Sequence, residues 1–485
     1  ARMLACAPFR HSGERAMSAQ AASAPSELSP TAREALAGLL GDRLRTDADT
    51  RAEWGRDWTR SFPVAPAAVV FPEAEAEVRE LVAIARAEHL ALVPSGGRTG
   101  LSGGAVAPAG EVVVSFDRMN RILEVDRAGR LLRCEAGAVT QTIQDAAEEH
   151  GLFYPVDFAS SGSSQIGGNV ATNAGGIKVI RWGMTRDWVA GLRVVTGTGE
   201  VLELGRGLVK DNTGYDLRQL MIGSEGTLGL ITEVTVRLAR PPEELAVLVL
   251  GLADFPVVMD VLAAFRARLD LTAFEFFSDL ALAKVVEHQG LGRPFETDAP
   301  FYALLEFEEA GAMEAALEVF EHCVEQGWAL DGVVSQSREQ AAKLWRLRED
   351  ISETISRWTP YKNDIAVRVP DVPAFLAEVD AFAGEAYPDL EVVWFGHIGD
   401  GNLHLNILKP DEMTQADFFE RCHGVSQRVF EIVRRFGGSI SAEHGVGLLK
   451  RDYLHYSRSE AEIAFMRSIR AAFDPDGVLN PGKLF

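Results

Sequence analysis

The sequence predicts an α+β protein of two domains with a returning C-terminal segment, and three observations predict it. Short strands and helices alternate in the N-terminal part, three glycine-dense stretches interrupt them, and beyond Pro241-Pro242 longer helical patterns alternate with strands. Alternating patterns of this kind call for layered α and β structure, and paired prolines mark a boundary. The expected division is a disordered leader over 1–30, a first domain over 31–242, a second, substrate-shaping domain over 243–437 and a C-terminal segment over 438–485 that packs back on the first domain. With 485 residues, the chain is long enough for two to four units at roughly 100–200 residues each.

The leader is rich in Ala and Ser and contains Arg2, Arg10 and Arg15. That composition suits a transit-like segment or a disordered leader with Met17 as a start, and the second is the reading adopted. Residues 31–60 read as helical, with Leu36, Leu39 and Leu40 on one face. The stretch Ala67–Pro72 reads as a strand, Glu75–His89 as a helix with Val78, Leu81, Val82 and Ile84 inside it, and Ala91–Pro94 as the next strand. Val112–Phe116 and Leu131–Ala136 are further strands. In the second domain Val257–Leu269, Ala312–Gln326 and Leu344–Ile355 read as helices, Tyr302–Phe307 and Val392–Phe395 as strands.

The formal net charge of −22 excludes nucleic-acid binding through a general basic surface. Cys6, Cys134, Cys323 and Cys422 form no C-x-x-C pair, so free thiols in a reducing compartment are expected. No run of 18 apolar residues occurs, so no spanning helix is expected. The cytoplasm is the expected location, or an organellar matrix if the leader is a transit peptide. The acidic surface does not forbid a homodimer.

The glycines cluster where a ligand would meet backbone. The stretch Pro94-Ser95-Gly96-Gly97-Arg98-Thr99-Gly100-Leu101-Ser102-Gly103-Gly104 directly follows a strand. Its consecutive glycines can turn N–H groups inward to cradle an anion. A single surface turn needs only one or two glycines. The second stretch includes Ser160, Ser161, Gly162, Gly167, Gly168, Asn169, Thr172, Asn173, Gly175 and Gly176, and the third runs from Ile222 to Ile231 through Gly226. A flexible linker would not carry Ile166, Val170 and Ile177 among its glycines. No complete G-x-x-x-x-G-K-[ST] is present and no G-x-G-x-x-G follows a strand, so neither a P-loop nor a dinucleotide fingerprint accounts for them.

These three stretches resemble those of the vanillyl-alcohol-oxidase-type FAD-binding fold, from about Pro66 to the C-terminus. The resemblance implies FAD, with Pro94–Gly104 around the pyrophosphate, Ser160–Gly176 and Gly223–Ile231 along the isoalloxazine and adenine, and Asn480 returning near the flavin. Some members tether FAD through a His just after the first glycine pair. Arg98 stands there, and the loop holds no His or Cys, so non-covalent FAD is expected.

The segment Trp394-Phe-Gly-His-Ile-Gly-Asp-Gly-Asn-Leu-His-Leu-Asn406 carries a hairpin signal at Asp400-Gly401. A two-residue turn there pairs Gly399 with Asn402 and sets His397 directly opposite His404, with Cβ atoms about 4.5–5.5 Å apart and Asn406 on the same face. Two converging imidazoles suit one metal ion, and Glu443 is the best third ligand, with His444 beside it. Two His and one carboxylate suit zinc; manganese and iron tolerate the same set. The other histidines read as ordinary hydrogen-bonded ones.

The run from His397 to His404 and the Glu443-His444-Gly445 triplet resemble the metal motif of the D-lactate, glycolate and D-2-hydroxyglutarate dehydrogenase branch of this flavin family. In that branch Arg348, Ser352 and Lys362 would hold a distal carboxylate, with Lys362 in the setting Tyr361-Lys362-Asn363-Asp364. Arg348 and Ser352 are i, i+4 on a helix and share a face. The implied chemistry is oxidation of a small anionic 2-hydroxy acid, D-2-hydroxyglutarate before D-lactate or glycolate. His444 would be the general base, Asn406 would steady the C1 carboxylate, and an electron-transferring flavoprotein or a quinone would be the acceptor. A non-redox flavin transferase of this fold would be expected to lack the His397–His404 run.

Overall fold

The computed structural model describes residues 27–59 and 61–485. Most of the expected leader, residues 1–26, lies outside them. Within the described part, Leu28 is already buried, and Ser29 caps the helix Pro30–Leu40 by accepting a hydrogen bond from Ala32 N.

Three sheets organise the chain. The first contains β1 (Leu44–Arg45), β2 (Ala68–Val70), β3 (Leu92–Ser95) and β4 (Val112–Ser115), in the order β1-β2-β4-β3. Strands β2, β4 and β3 are parallel, which requires a crossover between β2 and β3. The helix Glu75–Ala87 provides it and buries Val78, Leu81, Val82 and Ala85, the i, i+3, i+4, i+7 face. The C-terminal segment joins this sheet: Leu92 N donates to Val478 O and Asn480 N to Leu92 O, both at 2.8 Å.

The second sheet is antiparallel: β5 (Ile122–Asp126), β6 (Leu131–Glu135), β7 (Val189–Thr196), β8 (Val201–Leu204) and β9 (Gly229–Arg237), in the order β5-β6-β9-β7-β8. It shares one core with the first, built from Leu92, Val112, Leu132, Val194 and Val234 among others.

The third sheet has seven antiparallel strands: β10 (Leu245–Leu252), β11 (Leu271–Ser278), β12 (Phe301–Glu308), β13 (Ala329–Val334), β14 (Tyr361–Ala366), β15 (Val392–Gly396) and β16 (Asn402–Ile407), in the order β13-β10-β12-β11-β15-β16-β14. Because side chains alternate along a strand, its two faces differ. Phe274, Phe276, Trp394, Leu403 and Leu405 pack on one face against the helices Val257–Arg266, Val372–Ala386 and Gln415–Arg435. Ala273, Phe277, Val393 and Phe395 point the other way, towards the helices Asp279–Gln289 and Arg338–Glu349 and towards Ile177 of the second glycine stretch. The polar site residues share that second face.

Two local expectations are corrected. The second glycine stretch is not all loop: Ile166–Thr172 is a helix, held by the buried i, i+4 pair Ile166 and Val170 and ended by Asn173 in the left-handed conformation. The predicted two-residue hairpin is a five-residue connection, His397–Gly401, and β15 pairs with β16 so that Phe395, not His397, stands opposite His404. The extra length arises because the connection is drawn onto β11: Gly399 N donates to Phe274 O at 3.0 Å, and a Cβ at Gly399 would meet Ile180 and Phe274.

Candidate active site

Although the register differs from expectation, the two imidazoles meet. His397, at the start of the connection, lies with its ring centroid 5.3 Å from that of His404. Glu443 arrives from the C-terminal segment, with Oε1 3.6 Å from His397 Nε2. His397, His404 and Glu443 each offer one ligand atom within 4.8 Å of the others, so the three expected ligands converge.

A buried carboxylate stands near one nitrogen of each ring, within hydrogen-bond reach only at His397. His397 Nδ1 donates to Glu275 at 2.9 Å, and His404 Nδ1 is 3.8 Å from Asp364. At His397 the carboxylate on Nδ1 leaves Nε2 towards Glu443, the arrangement that orients histidine for a metal. Two neutral-nitrogen donors and one carboxylate fit a divalent ion. Burial opposes a charged His397, but Glu275 and Glu443 outweigh it and hold its pKa up at about 9, so an ion binding there would displace a proton from the ring. Burial and neighbouring His397 push His404 well below its ordinary value.

Asp364 is the hub of this end. It is buried on β14 opposite His404. It accepts hydrogen bonds from Glu443 N (2.9 Å), His444 N (3.0 Å) and Asn402 Nδ2 (2.9 Å). Burial works against its ionisation, yet His444, Lys450, His404 and the backbone N–H groups keep its carboxyl below the usual range. His444 stacks on His404 with centroids 6.0 Å apart and sets Nδ1 3.6 Å from Asp364. Burial, opposed by Asp364, lowers its pKa.

The expected anion-holding residues stand next to this cluster. Lys362 lies opposite Asn406 and Asp364 opposite His404 on the β14–β16 ladder, so all four side chains share one face. One ladder step, two residues or about 7 Å, separates the two pairs. Lys362 Nζ donates to Ser352 Oγ at 3.1 Å. Arg348 is buried, stacks over Phe395 at 4.8 Å and places Nη2 2.8 Å from Glu275. The expected helix begins earlier than Leu344, at Arg338, and steps at Asp350 into a second piece, Ile351–Ile355.

The glycine stretches pack on one another and on the cluster. A Cβ at Gly97 would overlap the backbone of Ser163, and one at Gly226 would overlap Pro94. Gly176 N donates to Glu443 Oε1 at 3.0 Å. Gly162 and Gly168 instead face open space. Buried Ser95 Oγ, Gln165 Oε1 and Asn480 Oδ1 have no hydrogen-bond partner among the described residues. Bare backbone, open space and unpaired buried oxygens along the three stretches fit an extended polar cofactor such as FAD.

Other expected contacts serve the protein itself. Asn169 Nδ2 donates to Thr140, Thr172 Oγ1 to Gly168 O, and Asn173 Oδ1 accepts from Arg186 N. Ile231 belongs to the first core. Arg98, at a positive φ, leans over Trp54 at 4.9 Å and lies 3.5 Å from Asp117.

Sequence reasoning missed Glu275, Asp364, Glu225 and Lys178. Glu225 is buried at a positive φ, and its carboxylate accepts from Val446 N and Gly447 N, both at 2.7 Å. It thereby ties the third glycine stretch to the Glu443–Gly447 loop. Lys178 pairs with Glu306 of β12 at 2.5 Å, and Trp345 Nε1 donates to the same carboxylate at 2.8 Å. Asp364 stood in the quoted Tyr361–Asp364 setting, and its two-residue spacing from Lys362 was the available signal. Glu225 stood inside the third glycine stretch, and Glu275 and Lys178 carry no local signal.

Cys134, Cys323 and Cys422 are free and buried; Cys6 lies outside the described residues. No described helix is long and apolar enough to cross a membrane.

Residues 66–205 match the family described as FAD binding domain, and residues 241–484 match FAD linked oxidases, C-terminal domain. The chain is 63% identical over 445 residues to a D-2-hydroxyglutarate dehydrogenase of Stutzerimonas stutzeri (strain A1501), covering 91% of this chain and 96% of that protein. It is 55% identical to a D-2-hydroxyglutarate dehydrogenase of Xanthomonas citri pv. viticola, covering 91% and 94%. It is also 36% identical to the mitochondrial D-2-hydroxyglutarate dehydrogenase of Bos taurus, covering 93% and 82%. Among solved structures, 4-ethylphenol oxidase from Gulosibacter chungangensis aligns with a TM-score of 0.75 at 17% identity, covering 95% of this chain and 98% of that one. An alkyldihydroxyacetonephosphate synthase aligns at 0.72 and 19%, covering 95% and 86%. These likenesses bear out the α+β vanillyl-alcohol-oxidase-type fold, while the closer sequence relatives decide the branch. The chain belongs to the FAD-linked oxidases and, within them, to the D-2-hydroxyglutarate dehydrogenases.

Proposed function

We propose that this site oxidises D-2-hydroxyglutarate to 2-oxoglutarate, with His397, His404 and Glu443 holding one divalent ion, zinc in this reading. Bound FAD would accept the C2 hydride at N5, and the bound ion would lower the pKa of the 2-hydroxyl. Asn406 steadies the C1 carboxylate. Arg348, Ser352 and Lys362 hold the distal carboxylate, a guanidinium and an ammonium being a sound clamp for it. His444 takes the hydroxyl proton as general base. Its place on the ligand loop, stacked on His404 with Nδ1 3.6 Å from Asp364, supports that role. The carrying observation is the β14–β16 ladder, which sets Lys362 one step from Asp364 and His404. That step is comparable to the separation of the two ends of a five-carbon diacid.

The flavin would be non-covalent, with its pyrophosphate against Pro94–Gly104, its rings along Ser160–Gly176 and Gly223–Ile231, and Asn480 nearby. Electrons would leave to an electron-transferring flavoprotein or a quinone. The buried free thiols suit a reducing compartment, and we place the protein in the cytoplasm. The test is turnover of D-2-hydroxyglutarate with a dye acceptor before and after chelation. Activity should vanish on stripping and return with zinc. Full activity in the stripped enzyme removes the metal role, and equal turnover of D-lactate removes the dicarboxylate clamp.

A further inference from the structure

His397 and Arg348 lean on the same carboxylate. Glu275, 1% exposed on β11, has its two oxygens 2.9 and 2.8 Å from His397 Nδ1, and Oε2 is also 2.8 Å from Arg348 Nη2. The guanidinium is neutralised there without being consumed. Arg348 Nε and Nη2, and Glu275 Oε2, have no aligned hydrogen-bond partner among the described residues. The two Arg348 nitrogens are buried donors that the protein leaves unsatisfied, and a second carboxylate would satisfy them.

We propose that Glu275 is a positioning residue that divides one negative charge between the metal end and the distal end of the site, so that releasing its hold on one strengthens its hold on the other. This deepens the function proposed above and rests on it. When a substrate carboxylate takes the guanidinium, the Glu275 charge turns to His397 Nδ1, which makes Nε2 a stronger donor. A carboxylate behind a ligating histidine raises its basicity in this way. Conversely, loss of the Glu275 charge leaves Arg348 uncompensated and more attractive to a dicarboxylate. A purely structural ion pair would weaken both ends when broken; a shared charge moves them in opposite directions.

The test uses FAD- and zinc-loaded enzyme carrying Glu275→Gln or Arg348→Met. Zinc affinity is read by competition with a chelator, and KM and kcat are measured for D-2-hydroxyglutarate and D-lactate at saturating zinc. In E275Q zinc affinity falls roughly 10- to 100-fold, whereas KM for D-2-hydroxyglutarate falls and KM for D-lactate does not follow it. In R348M zinc binds more tightly than in the unaltered enzyme. Unchanged zinc affinity in E275Q, or zinc affinity and dicarboxylate KM worsening together, overturns the proposal. If E275Q does not fold, the R348M zinc titration decides: tighter binding supports the shared charge, and equal or weaker binding refutes it. Failure of the unaltered enzyme on D-2-hydroxyglutarate would instead refute the proposed function, and the same zinc titration would still judge Glu275.

Discussion

Replacing Lys362 with methionine keeps most of the side-chain stem and removes the ammonium, so it isolates the charge at the distal end of the site. Lys362 Nζ has one described hydrogen bond, to Ser352 Oγ at 3.1 Å, and burial lowers its pKa below the ordinary lysine value. A hydrogen bond to a charged group contributes about 1.5–3 kcal/mol, and 1.4 kcal/mol is about tenfold. The expected loss in kcat/KM for D-2-hydroxyglutarate is therefore about 10- to 150-fold, with Arg348 still in place. D-lactate, which lacks a distal carboxylate, should be turned over as before. The sign of the pH dependence follows from the protonated form being the one that binds. As pH rises through the lowered pKa of Lys362, kcat/KM for the dicarboxylate falls, and this descending limb is absent from Lys362→Met and from D-lactate oxidation. Steady-state assays with a dye acceptor across pH read both effects. An equal loss for the two substrates, or the same limb in the variant, would refute the placement of the distal carboxylate at Lys362.

Acid or heat denaturation should release all the yellow colour into the supernatant, because Arg98 occupies the tethering place in a loop without His or Cys; flavin retained on the polypeptide would contradict this. Glu225→Gln should destabilise the protein by on the order of 2 kcal/mol, since the amide turns a donor towards Val446 N or Gly447 N, and calorimetry with and without FAD measures it. Lys483, fully buried and donating to Val106 O at 2.8 Å, has its pKa pushed down to about 8 by burial, with Glu111 and Asp57 opposing. The unfolded chain thus binds the extra proton between about pH 8 and the ordinary value of 10.5, so stability rises with pH across that window. Lys483→Met should lose that rise in denaturant titrations, and an unchanged pH slope would exclude Lys483 as its source.

Local pattern determined much of this protein. The crossover helix after β2 was legible because Val78, Leu81 and Val82 repeat at the helical period, and β12 and β15 because their apolar runs are short and bounded. The residue types for a metal and a flavin were legible for the same reason: His397 and His404 lie seven positions apart, and the glycines stand in runs. Only the tertiary structure decided the hairpin register. The Asp400-Gly401 signal is local, but Gly399 bonds Phe274 on a strand more than a hundred residues earlier, and that contact sets a five-residue connection. The partners behind the proposed ligands were equally out of reach. Glu275 lies 122 residues from His397, Asp364 lies 79 from Glu443, and Glu225 lies 221 from Val446. A lone glutamate within an apolar strand reads the same whether it faces solvent or an imidazole. Pairing between distant strands decides which, because it sets the face and the neighbour of every side chain on the ladder.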